Sequence, residues 1–198
     1  MTSMKRLIIL IPLTLLFGCS DDKKADIETK TEPVTVEQPV TEQPTAEFTK
    51  YATVVEMLKE ACDFKEEDGG LKVLSKKGEP LHIQVSSPEV DGELEKNIVD
   101  GTMRNIVYVA FQSFAQTDIE ELTITSVPIK FQSKNKYLDK YKLTVTINRK
   151  TATEILKKYL NTDNFQVLYY LDGTLWLPSK DFDSLKFKNL DAVFADMG

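Results

Sequence analysis

Apolar positions along the chain change their period several times, and each change predicts an element. The run from Leu7 to Phe17 is apolar apart from Pro12 and Thr14, and it is too short to cross a bilayer permanently. From Ser20 to Glu47 there is no aromatic residue and only Ile27, Val34, Val36 and Val40 as large aliphatics, too little to bury a core. Helical spacing then starts: Tyr51, Val54, Val55, Leu58, Ala61 and Cys62 define an amphipathic helix from about Thr49 to Cys62. Asp68-Gly69-Gly70 breaks it. Leu71–Ser75 and Leu81–Ser86 read as two strands around Lys76-Lys77-Gly78-Glu79-Pro80, with Leu81, Ile83 and Val85 on one face and His82 and Gln84 on the other.

A long helix follows. Ser87-Pro88 offers a start, Gly92 moves it toward Asp91 or Glu93, and the stripe Val99, Met103, Val107, Ala110 and Phe114, flanked by Ile106 and Phe111, carries it to about Gln116. Leu122 and Ile124 alternate with Thr123 and Thr125, after which the apolar phase slips to Val127, Ile129 and Phe131. That slip predicts a bulge near Ser126, and Pro128 predicts an edge or irregular position. Ser133-Lys134-Asn135-Lys136 leads to the clearest strand, with Tyr141, Leu143, Val145 and Ile147 inward. Thr151-Ala152-Thr153-Glu154 has capping-box spacing for a short helix through Ile155, Leu156, Tyr159 and Leu160. Phe165–Leu171 and Thr174–Leu177 form a hairpin around Asp172-Gly173, for which a type I′ turn is expected, and a last helical segment lies between Leu185 and Met197. Short turns between strands favour antiparallel pairing. The expected class is α+β: an antiparallel sheet of hairpins packed against one long helix, with additional shorter helices.

Composition changes this picture mainly at the N-terminus. Lys5 and Arg6 precede the apolar run, and Leu16-Phe17-Gly18-Cys19 closes it. That order resembles the signal peptide and lipobox of bacterial lipoproteins. The resemblance implies cleavage before Cys19, a lipid on its sulfur, and anchoring to a membrane in the cell envelope. Two or more acyl chains make such an anchor durable, each buried methylene contributing ~0.8 kcal/mol. Ser20 follows the cysteine rather than an aspartate, which resembles an outer-membrane address, with the domain facing the periplasm. The expected organisation is a signal peptide over 1–18, a lipid-anchored acidic tether over 19–47 and one globular domain over 48–198.

Without Lys5 and Arg6 the chain holds 23 basic and 31 acidic residues, a formal charge of −8. Neither a basic cluster nor an aromatic-basic motif is present, so no nucleic-acid partner is expected. The tether carries eight of the acids against three lysines, and with Pro33, Pro39 and Pro44 it should be extended. If Cys19 is consumed by lipid, Cys62 is the only thiol left and no intramolecular disulfide can form.

Candidate chemistry is sparse. His82 is the only histidine, which excludes a multi-histidine metal site within one chain and places the side chain on a solvated strand face. Cys62, on an apolar stripe, is expected to be core. Asp172-Gly173-Thr174 superficially resembles the phosphatase loop of the haloacid-dehalogenase family, but Tyr170 stands where that loop needs its nucleophilic aspartate. No glycine-rich nucleotide motif occurs, and no cofactor is expected. Glu93, Glu95, Asp100, Asp118, Glu120 and Glu121 are plentiful carboxylates whose convergence spacing alone does not show. The C-terminal third is rich in aromatics, among which Tyr170 and Trp176 are the candidate partner-binding anchors.

These features favour a non-catalytic envelope lipoprotein whose domain binds a protein partner. The alternatives are a binder of an apolar small molecule or lipid in a helix-sheet cleft, lined by Met103, Val107 and Phe114 against Tyr141, Leu143 and Val145, and a carboxylate-dependent hydrolase.

Overall fold

Residues 47–198 are described by a computed structural model of the chain. The expected signal peptide, Cys19 and nearly all of the tether lie outside them. Thr53 caps the first helix, α1 (Val54–Ala61), its hydroxyl accepting the Glu56 N–H at 3.1 Å. Val54, Met57 and Leu58 turn inward. The helix ends one residue before the apolar stripe does: Cys62 takes the left-handed C-cap conformation (φ 60°) and is exposed. Cys62 is therefore not core. Stripe spacing places a side chain only while the helix continues, and here the backbone reverses at the stripe's last position.

Strands β1 (Leu71–Val73) and β2 (His82–Val85) form the expected antiparallel hairpin. Beyond β2 come β3 (Pro88–Glu89) and the long helix α2 (Glu95–Gln116), then β4 (Glu121–Ser126), β5 (Ile129–Lys130) and β6 (Leu143–Asn148). The main sheet runs β1-β2-β4-β6, with β4 and β6 antiparallel but β2 and β4 parallel. The class is α+β with a mixed sheet. The parallel pairing of β2 with β4, continued by β3 with β5, follows from α2: at ~1.5 Å per residue it carries the chain ~33 Å back along the sheet, so the next strand must run in the same direction as β2.

No bulge exists at Ser126. His82 pairs with Thr123, Val85 with Ser126, and Pro88 with Ile129, so the offset between the two strands never changes. What changes is the polarity of each face. Up to Thr125 the outer face of β4 is threonine and the inner face is Leu122 and Ile124. Beyond it the outer positions become Val127, Ile129 and Phe131, and the inner ones Ser126, Pro128 and Lys130. The loop from α1 to β1 folds over the outer face at Ile129, and Val127 and Ile129 are 1% and 5% exposed. Gly69 makes this approach possible: its φ is +82°, and a Cβ there would stand 2.8 Å from the Tyr137 hydroxyl and 3.4 Å from Ile129. Pro128 is at an irregular position rather than a free edge: pairing with β6 stops at Ser126, and the segment after β5 takes over on that side, the Leu138 N–H donating to the Pro128 carbonyl at 2.9 Å and Tyr137 bridging Ile129.

Helix α2 starts at Glu95, later than Ser87-Pro88 suggests, because Pro88 belongs to a strand. Its second half follows the expected stripe, with Val107, Ala110, Phe111 and Phe114 at 0–1% exposure against Leu122, Ile124 and Ile147. Its first half is rotated: Ile98 and Thr102 are buried while Val99 is 36% exposed. There α2 packs on the C-terminal α5 (Leu190–Asp196). Of the residues expected to line a cleft between α2 and the sheet, Val107, Phe114 and Val145 are buried in the core, whereas Met103, Tyr141 and Leu143 are partly exposed.

Where the ribbon of β3 and β5 crosses α2, Glu89 turns toward the helix and its carboxyl Oε1 lies 3.7 Å from the position of a Cβ on Gly101. Burial, and then the charge of Glu93, push the Glu89 carboxyl above the usual carboxylate range. A raised acid favours the folded state while protonated and loses that contribution as pH rises through its folded pKa. Glu89→Gln is therefore expected to raise Tm at pH 7 by about 1–2 °C, with the gap to wild type closing toward pH 4. An equal gap at both pH values would contradict this account.

Helix α3 (Arg149–Leu160) is capped by Asn148, whose side chain accepts the Thr151 N–H at 2.9 Å. The predicted capping box therefore lies inside the helix. Arg149, its first residue, sits at the C-terminal end of α2, donating to the carbonyls of Phe114 (2.8 Å), Thr117 (2.8 Å) and Ile119 (2.9 and 3.2 Å). The last carbonyls of a helix have no intrahelical donor and carry the negative end of its dipole, so a guanidinium fork satisfies both needs. A 3-10 turn (Phe165–Leu168) leads into the hairpin β7 (Tyr169–Asp172) and β8 (Leu175–Pro178), followed by α4 (Lys180–Asp183), a widened π turn (Ser184–Lys188) and α5.

Candidate functional site

The C-terminal hairpin carries both aromatic residues singled out by sequence. Asp172 pairs with Leu175, leaving Gly173 and Thr174 as the two-residue loop. Gly173 has φ +60° and Thr174 does not share a positive φ. Glycine first and a negative φ second is the type II′ arrangement, so the expected type I′ turn is replaced by the other primed turn. Pairing of Tyr170 with Leu177 and of Leu171 with Trp176 places Tyr170 and Trp176 on opposite faces. Trp176 turns to the body of the protein, edge-on to Phe48 at 4.9 Å, its Nε1–H donating to the Glu47 carbonyl at 3.3 Å. Tyr169, on that same face, meets Phe48 at 5.5 Å and Phe182 at 5.6 Å. The two anchors do not share a surface.

The outward face keeps Tyr170 (49% exposed), Leu175 (65%) and the partly buried Leu177. A shallow concavity of about 520 Å³ adjoins it, lined by Tyr170, Pro178, Ser179, Lys180, Asp181 and Asp183. Apolar side chains on a two-stranded ribbon with charges at the margin have the make-up of a small contact surface.

The remaining candidates do not converge. His82 donates to or accepts from the Thr125 hydroxyl at 2.9 Å, within an outer-face network in which Thr125 meets Thr144, and Thr123 meets Thr146, both at 2.8 Å. Each named carboxylate with a charged partner finds a different one: Glu95 with Lys140, Asp100 with Lys96, Asp118 with Lys50 and Glu120 with Arg149. Hydrogen bonds from Lys140 and Tyr141 hold the Glu95 carboxyl below its ordinary value. Glu93 accepts from Asn97, and Glu121 is exposed at the start of β4. Among the described residues, no group of three or more His, Cys, Asp or Glu is placed to hold a metal ion.

A second concavity has no counterpart in the sequence pattern. It opens on the outer face of β3 and β5, where the covering loop stops short of the ribbon's tip, and encloses about 380 Å³. Ser86, Pro88, Ile129 and Phe131 line one side, and Asp63, Phe64, Lys65, Asp68 and Gly70 the other. Gln132, Ser133 and Lys134 close the end. Ser86 is 4% exposed, and its Oγ has no hydrogen-bond partner. Its neighbour Ser87, turned to α2, is paired with Asn105 at 2.9 Å. Spacing along the chain cannot show that residues 63–70 will lie beside 129–134. The slip of the apolar phase at Val127 is the one trace of it: it marks an outer face that something must cover.

Comparison with protein-family models, with curated proteins and with solved structures finds no match.

Proposed function

We propose that the chain is a lipid-anchored protein of the bacterial cell envelope whose α+β domain binds a protein partner without catalysis, through the outward face of the C-terminal hairpin. The observation that carries the binding surface is the solvent-facing set Tyr170, Leu175 and Leu177 on one side of a ribbon whose other side is packed down by Tyr169 and Trp176. Tyr170 is the anchor on this face, and Trp176 supports it from behind by fixing the hairpin against Phe48. The anchoring half is supported by Lys5, Arg6 and Leu16-Phe17-Gly18-Cys19, and the outer-membrane, periplasm-facing address by Ser20.

Both halves can be tested in cells. Labelled palmitate should be incorporated by the wild-type chain and absent from Cys19→Ala; label retained in the variant overturns the anchor. A photo-crosslinking residue at position 170 should trap one discrete adduct that the same residue at exposed Lys157 does not, and Leu175→Ser should reduce that adduct at least about fivefold, as expected for loss of an apolar contact. Equal adducts at the two positions overturn the hairpin surface.

A further inference from the structure

The concavity on the outer face of β3 and β5 is independent of the hairpin surface, and its make-up identifies a ligand class. Its volume of about 380 Å³ is near the lower end for small-molecule sites, about 300–1,000 Å³. Its walls are apolar: Phe64, Pro88, Ile129 and the 51% exposed ring of Phe131. A half-exposed phenylalanine beside a proline offers a face to one more apolar group.

The polar groups around it divide into committed and uncommitted. The Asp63 carboxylate accepts the Tyr108 hydroxyl, and the Asp68 carboxylate accepts the Gly70 N–H at 2.8 Å. Lys130 is paired with Asp91 at 2.7 Å. Lys65 and Lys134 belong to no ion pair among the described residues, and both are exposed at the rim. The Ser86 hydroxyl is buried without a partner on the floor side. A buried hydroxyl left unpaired costs free energy, and a protein retains one where a bound group or water completes it.

We infer that this concavity is a binding site for an apolar organic carboxylate about one residue in size, the C-terminal residue of a peptide or a free N-acylated amino acid. The apolar body lies between Phe131, Pro88 and Phe64. The carboxylate meets the Lys65 and Lys134 ammonium groups, and rotation of the Ser86 side chain, which lines the concavity, brings its hydroxyl to the ligand's polar end. Addition of the ligand as an extra strand is disfavoured, because Pro88 brings no N–H to the open edge of β3.

The test uses the intact processed chain in neutral detergent, with N-acetyl-phenylalanine, its primary amide, and a short peptide ending in phenylalanine with a free or an amidated terminus. Binding is followed by NMR shifts, and the variants control for partition into micelles. The free acids are expected to bind saturably and to shift residues of 63–70 and 129–134. Both amides, and the double variant Lys65→Gln/Lys134→Gln with the acids, should bind at least about tenfold more weakly, as for loss of a charge-assisted contact. Ser86→Ala should weaken acid binding severalfold without lowering Tm of the empty chain, which separates a ligand role from a structural one. Tighter binding of the peptide acid than of N-acetyl-phenylalanine identifies a peptide terminus as the ligand, and the reverse identifies a free amino-acid derivative. Equal affinity for acid and amide, shifts elsewhere in the protein, or no saturable binding of any probe overturns the assignment.

Discussion

Arg149→Ala is expected to destabilise the chain by about 3 kcal/mol, as read from urea denaturation at neutral pH. The guanidinium donates to carbonyls at three positions around the C-terminus of α2 and lies over Phe114 and Phe165, 5.3 and 5.6 Å from the ring centroids. Removing it leaves those carbonyls to compete for water at a crowded junction of α2, β4 and α3. Arg149→Lys retains a charge but not the fork, and should lose about half as much. The ion pair with Glu120 contributes little by contrast, because the Glu120 side chain is 81% exposed; Glu120→Gln should stay within about 0.5 kcal/mol of wild type. A loss below about 1 kcal/mol in Arg149→Ala would remove the residue from its place as the link between the helices.

The second large effect is expected at Phe182. Its ring is fully buried between Tyr108 and Tyr169, with centroids 5.6 Å away in each case. Lys186 Nζ lies 4.5 Å from the same ring. Phe182→Ala removes the contact that seats both the hairpin and the C-terminal helices on α2, and should cost about 3–5 kcal/mol. Phe187, 54% exposed on the widened turn five residues later, provides the contrast: Phe187→Ala should change stability by no more than about 0.5 kcal/mol. Trp176 is the only tryptophan and sits against Phe48 on the same support. Its emission should therefore shift to the red in Phe182→Ala before the main sheet unfolds, and coincident transitions would show that the hairpin has no separate weakness.

The elements most legible in the sequence are those whose signal is local. The β1–β2 hairpin, the span of α2 up to Gln116, the alternation of β6 and the hairpin around Gly173 all follow from period and turn chemistry within a few residues. Where the sequence misleads, a partner distant along the chain decides the outcome. Asn148 rather than Thr151 caps α3, because Arg149 has to enter the helix where it can reach the end of α2. Val99 lies on the predicted stripe yet faces solvent, because the first half of α2 meets α5 rather than the sheet. Tyr170 and Trp176 are both aromatic and close in sequence, but strand pairing divides them between a free face and a packed one.

The concavity between residues 63–70 and 129–134 shows the same limit for function. Its chemistry is ordinary in sequence: a serine, a proline, an exposed phenylalanine and two lysines with no spacing between them that predicts a site. Of the six carboxylates conspicuous in sequence, by contrast, four are dispersed on the folded surface among separate cationic partners.

By itself, then, the sequence determined the order of basic pair, apolar run and Leu16-Phe17-Gly18-Cys19 on which the proposed anchor rests, the acidic, aromatic-free composition of Ser20 to Glu47, the presence of only two cysteines, and the alternation of helices and hairpins that makes the class α+β. Those properties depend on composition and on periods a few residues long. Tertiary structure alone decided the parallel pairing of β2 with β4, the exposure of Cys62, the inward turn of Trp176 and the opening beside Ser86. Each of these depends on which surfaces meet after α2 has carried the chain back across the sheet, and that is settled by packing between segments tens of residues apart.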